Sequence, residues 1–290
     1  MTGGPDVPLP VAVCAAPNGA RRTKTDHPAL PMTPAEIARD AAACLEAGAS
    51  MLHIHARGPD GRHTLDPGLY GEVIAAVRAE VGDRMVVQAT TEAAGIYAPA
   101  QQMAAIRGLC AGARPRSRPD SVSLAIRELL PAGDDSAVAA FGTWIEWVHR
   151  ERILPQYILY DAEDVGRFLA LQARGVIPDD RPSVLFVLGR YTAGQQSDPR
   201  DLLPFLAAMG AGHDSAGNWF LCAFGKLESA CCLTAAALGG HARIGFENNT
   251  LMADGNRAPN NAALVDQLVR ALPAVGRTPA DAAMVRALLG

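Results

Sequence analysis

The 290-residue chain lacks several common features, and each absence removes a class of function. No run of about 18 or more apolar residues occurs, so no membrane-spanning helix is expected. The opening MTGGPDVPLP has no basic stretch followed by an apolar core, which makes a secretory signal unexpected and a cytoplasmic location the expectation. Positive charge is not in excess. With 26 Lys and Arg against 30 Asp and Glu, the net charge of −4 leaves no electrostatic footprint for DNA or RNA. The six cysteines (Cys14, Cys44, Cys110, Cys222, Cys231 and Cys232) contain no CxxC spacing for zinc or thiol exchange and read as reduced core residues. Internal repeats and low-complexity linkers are also missing, so one domain over residues 1–290 is expected, with 1–9 as a flexible tail.

What the chain does have is a regular alternation. With 49% hydrophobic residues it reads as a soluble globular protein. Eight β-rich runs recur along it: VAVCAA from Val11, MLHIHA from Met51, MVVQAT from Met85, SVSLAI from Ser121, QYILYD from Gln156, SVLFVL from Ser183, NWFLCA from Asn218 and HARIGF from His241. Each is followed by helical spacing with a start signal. In Thr33-Pro34-Ala35-Glu36, the Thr can cap, the Pro suits the first turn and the Glu completes a capping box. Other starts are read near Asp66-Pro67, Asp134-Asp135-Ser136, Asp198-Pro199 and Asn260, and the last at Thr278-Pro279. Eight β-then-α units with mostly continuous apolar strands predict an α/β fold, a closed TIM (β/α)8 barrel, with a doubly wound open sheet as the alternative.

In such a barrel, chemistry belongs at the carboxyl ends of the strands. In MLHIHA alternate side chains share a face, which sets His53 and His55 together and Leu52, Ile54 and Ala56 on the other side. Two imidazoles and one carboxylate are a standard catalytic zinc set. Period-two counting on the eighth strand puts His241, Arg243, Gly245 and Glu247 on one face, with the apolar Ala242, Ile244 and Phe246 turned to the helices. The second and eighth strands both neighbour the first, so Glu247 can approach the histidine pair. Alone, HxH could equally be two histidines satisfied inside a strand; an inward Glu at the right strand end favours the metal. The long first loop, PNGARRTKTDHPALPMT, lies at the same face, and its Arg21, Arg22 and Lys24 can either capture an anion or form a solvated basic surface.

With these residues in view, the chain resembles the β-keto acid cleavage enzymes, whose best-known activity is that of 3-keto-5-aminohexanoate cleavage enzyme. The resemblance runs nearly end to end and is carried by NGARRTK, LPMTPAEIARDAAACLEAGASMLHIHARGPDGRHTLDP, FVLG, LGGHARIGFENN and NNAALVDQLVRAL. It implies a homo-oligomeric barrel, a tetramer in the family, with a divalent metal, normally zinc, on His53, His55 and Glu247. It also implies conversion of a β-keto acid plus acetyl-CoA into acetoacetate plus a new acyl-CoA. Arg243 would be an active-site cation and Thr90 the polar hydroxyl after the third strand.

The chain also departs from that family. The family's Glu-Asp-Asn is here Glu247-Asn248-Asn249, and the Asp is the family's general base; an amide cannot take a proton near neutrality. Glu92 and Glu128, in loops after the third and fourth strands, are the substitute candidates, Glu92 first. Glu128 and Ala125 also stand where the family has Thr and Asn. Arg21 replaces the family's ammonium-binding Glu, which predicts a β-keto acid with a neutral or anionic tail. For the CoA phosphates, Arg21, Arg22 and Lys226 are the candidates, Lys226 because it opens a helix. The alternatives are a CoA-independent metal-dependent C–C hydrolase or isomerase on the same scaffold, and a non-catalytic metal-stabilised homologue. Metal-dependent amidohydrolases need later-strand histidines that are missing, since His149 and His213 fall in helix and loop text.

Overall fold

A computed structural model describes residues 10–111, 115–131, 135–179, 181–210 and 218–290. The tail expected at 1–9, Asp134 and His213 lie outside them. All eight predicted strands form: β1 (Val13–Ala15), β2 (Met51–Ile54), β3 (Val86–Thr90), β4 (Ser121–Ala125), β5 (Leu154–Leu159), β6 (Ser183–Leu188), β7 (Trp219–Ala223) and β8 (His241–Ile244). They pair in parallel and in sequence order into a closed barrel, with β8 returning to β1 through the register Cys14 to Arg243. The open-sheet alternative is thereby excluded. Nearly every strand residue is buried, which is why the runs read as continuously apolar rather than alternating.

The two faces of each strand feed different cores. Leu52, Ile54, Val87 and Ala89 pack outward with helix residues such as Ile37, Ile74 and Val77. Inside the barrel, Cys14, Met51, Val86, Leu185, Phe220 and Cys222 form a smaller apolar plug. His53 shares the inward parity of Met51, so a buried imidazole stands directly above that plug. All six cysteines are free and buried, as read from the sequence.

The helices α1 (Pro34–Glu46), α2 (Pro67–Val81), α3 (Pro99–Ala111), α4 (Ile126–Leu129), α5 (Asp135–Arg150), α6 (Ala162–Ala173), α7 (Leu203–Met209), α8 (Glu228–Ala237), α9 (Asn261–Ala271) and α10 (Ala282–Leu289) follow the strands. None is long and apolar enough to cross a membrane. The Thr33 capping box opens α1, and Asp66 and Asn260 cap α2 and α9 as expected. The last helix does not begin at Thr278-Pro279. Those residues run extended beside the start of the first strand segment, with Val11 N donating to Thr278 O (2.7 Å) and Ala280 N to Val11 O (2.8 Å); the helix starts after Asp281, which caps it. A backbone already bonded to a neighbouring segment cannot also close a helical turn.

Candidate metal centre and active site

His53 lies within β2, and His55 one residue beyond its end. Their Nε2 atoms are 3.0 Å apart, and each is 3.5 Å from Glu247 Oε2. Three ligands held about 2.0–2.1 Å from one tetrahedral ion would be separated by about 3.4 Å, so the spacing fits a single divalent metal. The polar satisfaction fits as well. Glu247 Oε2 is buried with no hydrogen-bond partner, while its other oxygen accepts from Arg243 Nη2 at 2.9 Å. An orphaned carboxylate oxygen facing two ring nitrogens is what a metal position requires. Among the described residues, this is the group of His, Cys, Asp and Glu side chains whose ligand atoms converge.

Surrounding residues hold the ligands in this state. Gln88 Oε1 accepts from His53 Nδ1 at 2.8 Å, because its amide nitrogen is committed to Ser121 Oγ (3.1 Å) and Gln156 Oε1 (3.2 Å). The His53 lone pair is left on Nε2, toward Glu247. Burial, followed by the Arg243 charge, pushes the His53 imidazole well below its ordinary pKa, so it is neutral, as a ligand must be. Burial would raise the Glu247 carboxyl, yet the neighbouring Arg243 guanidinium holds it well below the usual carboxylate range. Asn18, from the first loop, clamps the His55 backbone on both sides, donating to its carbonyl (2.9 Å) and accepting from its N–H (3.3 Å).

Glu247 reaches the site by a different route from strand alternation. β8 ends at Ile244, and Gly245–Asn249 is a turn in which Asn248 N and Asn249 N both donate to Gly245 O (2.9 and 3.1 Å). Gly245 does more than leave room. At φ +147° it lies where a Cβ would sit 2.5 Å from Ala16 O, so only glycine lets the chain turn against the end of β1. Gly19 (φ +62°) packs in turn on Glu247, where a Cβ would be 2.6 Å from Glu247 Cγ.

Beside the triad, an inner chamber of about 20 Å³, room for one water, is lined by His53, Glu247, Arg243, Thr90, Glu92 and Glu128 among others. Arg243 Nε and Nη1 are buried without partners, so this guanidinium has donors left for a ligand. Thr90 Oγ1 accepts from Glu92 N (3.0 Å) and Ser123 Oγ (3.3 Å), which frees its own proton to donate. Glu92 lies with Oε2 3.7 Å from His55 Nδ1 and Oε1 3.6 Å from Arg190 Nη2, neither a hydrogen bond. Glu128 is anchored by Ala93 N (2.9 Å) and Gln102 Nε2 (3.2 Å), and burial raises its carboxyl.

The remaining sequence candidates do not line this chamber, although Arg21 and Arg22 line an adjoining cavity of about 50 Å³ with Glu92, Arg190 and Glu247. Asn248 is fully buried and does not line the chamber; its amide approaches Glu228 Oε1 at 3.4 Å. Arg22 has committed its fork to the carbonyls of Phe246 (2.5 Å) and Asn248 (3.2 Å), so it braces the ligand turn. Arg21 is exposed at the mouth, and Lys226 is exposed just before α8. Arg21 also lines a surface groove of about 930 Å³ with Lys24 and Arg62.

Three residues of the site are not expected from the sequence. Arg190, directly after the FVLG run, lines the inner chamber; a cation at a strand's carboxyl end is the available signal. Gln88 shares the inward parity of Thr90 but looks like an interruption of an apolar strand. Glu228, in the first turn of α8, looks like an ordinary helix-start acid. It is fully buried, accepts from Gly245 N (3.0 Å) and Asn249 Nδ2 (3.2 Å), and burial pushes its carboxyl up to about 8.

Known proteins provide an independent line. The family model described as beta-keto acid cleavage enzyme matches residues 10–290. A 3-keto-5-aminohexanoate cleavage enzyme from Fusobacterium nucleatum is 28% identical over 284 residues, covering 95% of this chain and 97% of that protein. A 3-oxoadipate:acetyl-CoA acetyltransferase from Cupriavidus necator is 26% identical over 288 residues, with 97% and 95% covered. Among solved structures, the apo structure of ObcA superposes with a TM-score of 0.69 at 16% identity, over 91% of this chain and 66% of that one, a likeness of fold.

Proposed function

The chain belongs to the β-keto acid cleavage enzyme family, and on that premise we propose that it condenses a β-keto acid with acetyl-CoA and releases acetoacetate and a new acyl-CoA. The observation that carries the reading is the convergence of His53, His55 and the orphaned Glu247 oxygen beside a chamber lined by Arg243, which has two unpartnered donors. His53, His55 and Glu247 would hold a divalent metal, zinc first. When bound, such an ion polarises a ketone oxygen and so acidifies the carbon next to it.

The chain's own residues account for the other steps. Arg243 receives the substrate carboxylate on Nε and Nη1. Glu92, whose carboxylate oxygens make no hydrogen bond, takes the proton from the carbon between carboxylate and ketone; Asn248 can do neither this nor reach the chamber. The resulting carbanion attacks the thioester carbon of acetyl-CoA, with the Thr90 hydroxyl positioned to donate to the developing oxyanion. CoA then moves to the other acyl carbon, and reversal of the condensation releases acetoacetate. The nucleotide end of CoA would lie in the surface groove, where Arg21 and Arg62 offer cations to phosphate; Arg22 is already committed elsewhere, and Lys226 lines neither cavity. Assembly as a homo-oligomer accompanies this proposal, with exposed Leu203, Leu238 and Met284 available for burial.

The deciding experiment incubates the purified protein with β-keto acids, with and without acetyl-CoA, and identifies acyl products by mass spectrometry. Acetoacetate and a new acyl-CoA are expected only when acetyl-CoA is present. Substrate loss without acetyl-CoA would replace the reading with hydrolysis or isomerisation, and no loss under any condition with a non-catalytic role.

A further inference from the structure

The inner chamber is faced by two guanidiniums, and the proposed reaction uses only one. Arg190 follows β6 at Gly189 and lines the same chamber as Arg243. Its side chain is 16% exposed, and its closest carboxylate, Glu92 Oε1, is 3.6 Å away, beyond hydrogen-bond reach. Its other neighbours are the ring faces of Phe224 at 5.4 Å and Tyr191 at 5.9 Å. Those rings flank the guanidinium, and among the described residues no acceptor lies within hydrogen-bond reach of its N–H donors. A cation so enclosed and so poorly hydrogen-bonded gains most from an anion that enters with the ligand.

We infer that Arg190 receives a second anionic group at the tail of the β-keto acid, so that the preferred substrate is a β-keto dicarboxylate. The inference rests on the reading of this site as one for β-keto acids. Arg243 takes the carboxylate next to the reacting carbon, and Arg190 the one at the far end. An apolar tail would meet Ala125, Ile158 and Val187 but leave the Arg190 donors unpaired. An ammonium tail would bring a like charge to Arg190, with the carboxylates of Glu92 and Glu128 as the counter-charges on that side of the chamber. Arg21, which the sequence suggested for reading the tail, is exposed and lines the adjoining cavity with Arg190; of the two arginines, Arg190 is the one that also lines the inner chamber. A carboxylate on Arg190 also loosens the Glu92 contact and frees Glu92 to accept its proton.

Calorimetric binding to the metal-supplemented full chain tests this with three β-keto acids of equal length, ending in a carboxylate, a methyl group or an ammonium. The dicarboxylate is expected to bind about a hundredfold more tightly than the methyl-ended acid. Arg190→Met, which keeps the length of the stem, should erase most of that preference while changing methyl-ended binding by less than about threefold, and Arg190→Lys should restore part of it. Equal or tighter binding of the methyl- or ammonium-ended acid overturns the inference, as does an Arg190→Met protein that keeps the preference. Because binding is read without acetyl-CoA, a missing acetyl-CoA-dependent turnover would count against the proposed reaction alone.

Discussion

The metal side of the site and its substrate side are built to different standards. On the metal side, Gln88 fixes His53, Asn18 clamps His55, Arg243 holds one oxygen of Glu247, and the backbone at Gly19 presses on that side chain. On the substrate side, Glu92 and Arg190 meet only at 3.6 Å, and Arg243 still has donors to give. One side is preorganised by the strands and the turns that end them. The other, carried by the loops after β3 and β6 and by α4 directly after β4, is left open to whatever enters. A barrel built this way can keep one cluster of side chains fixed while changing the groups beside it.

That contrast is easiest to break at its rigid end. Glu247→Gln should abolish stoichiometric metal binding and reduce turnover to background, checked by elemental analysis and the acyl-transfer assay; a variant that keeps its metal would mean that the ligand set is wrong. On the open side, Glu92→Gln should lower kcat by about a hundredfold while leaving metal content unchanged. Unchanged turnover would move the base to Glu128. A subtler probe of rigidity is Gln88→Leu, which removes the acceptor from His53 Nδ1 and should weaken metal affinity by about 10- to 100-fold in a chelator competition.

The smallest expected effect concerns Glu228. Its carboxyl, raised from 4.5 to about 8 by burial, keeps its proton in the folded chain at pH values where the unfolded chain has lost it. The folded state therefore binds the extra proton, and this group's contribution to stability declines as pH rises from about 4.5 through about 8. Comparing Tm across that window in the parent and in Glu228→Gln should show a flatter profile in the variant. Identical slopes would remove Glu228 as the source.

Much of this arrangement is legible in the amino-acid sequence. The strands are readable because both faces of a barrel strand are buried, and His53 and His55 because parity sets them together. Glu247 is found by extending that parity past Ile244, where the chain has already left the strand; the turn at Gly245 happens to deliver the carboxylate to the same place. Arg22 and Asn248 show the limit. Nothing local says that an arginine in a basic loop will spend its fork on the carbonyls of Phe246 and Asn248, or that Asn248 will turn toward a helix glutamate. Those contacts join residues more than 200 positions apart, or 20 apart across α8 and β8, and depend on how these segments settle on one another. Thr278-Pro279 fails similarly: its local signal says helix start, while hydrogen bonds to Val11 say otherwise.

The amides beneath the metal site have an orientation as well as a position. His53 Nδ1 points its proton to Gln88, Gln88 Nε2 to Gln156, and Gln156 Nε2 to Ser183 Oγ at 3.1 Å, so the donors run one way across β2, β3, β5 and β6. A carboxamide has distinguishable ends, so reversing one member forces its neighbours to reverse or to clash. Which imidazole nitrogen of His53 stays bare is therefore decided collectively by four strands, and a substitution at Ser183, distant from any reacting atom, can be felt as a change of tautomer.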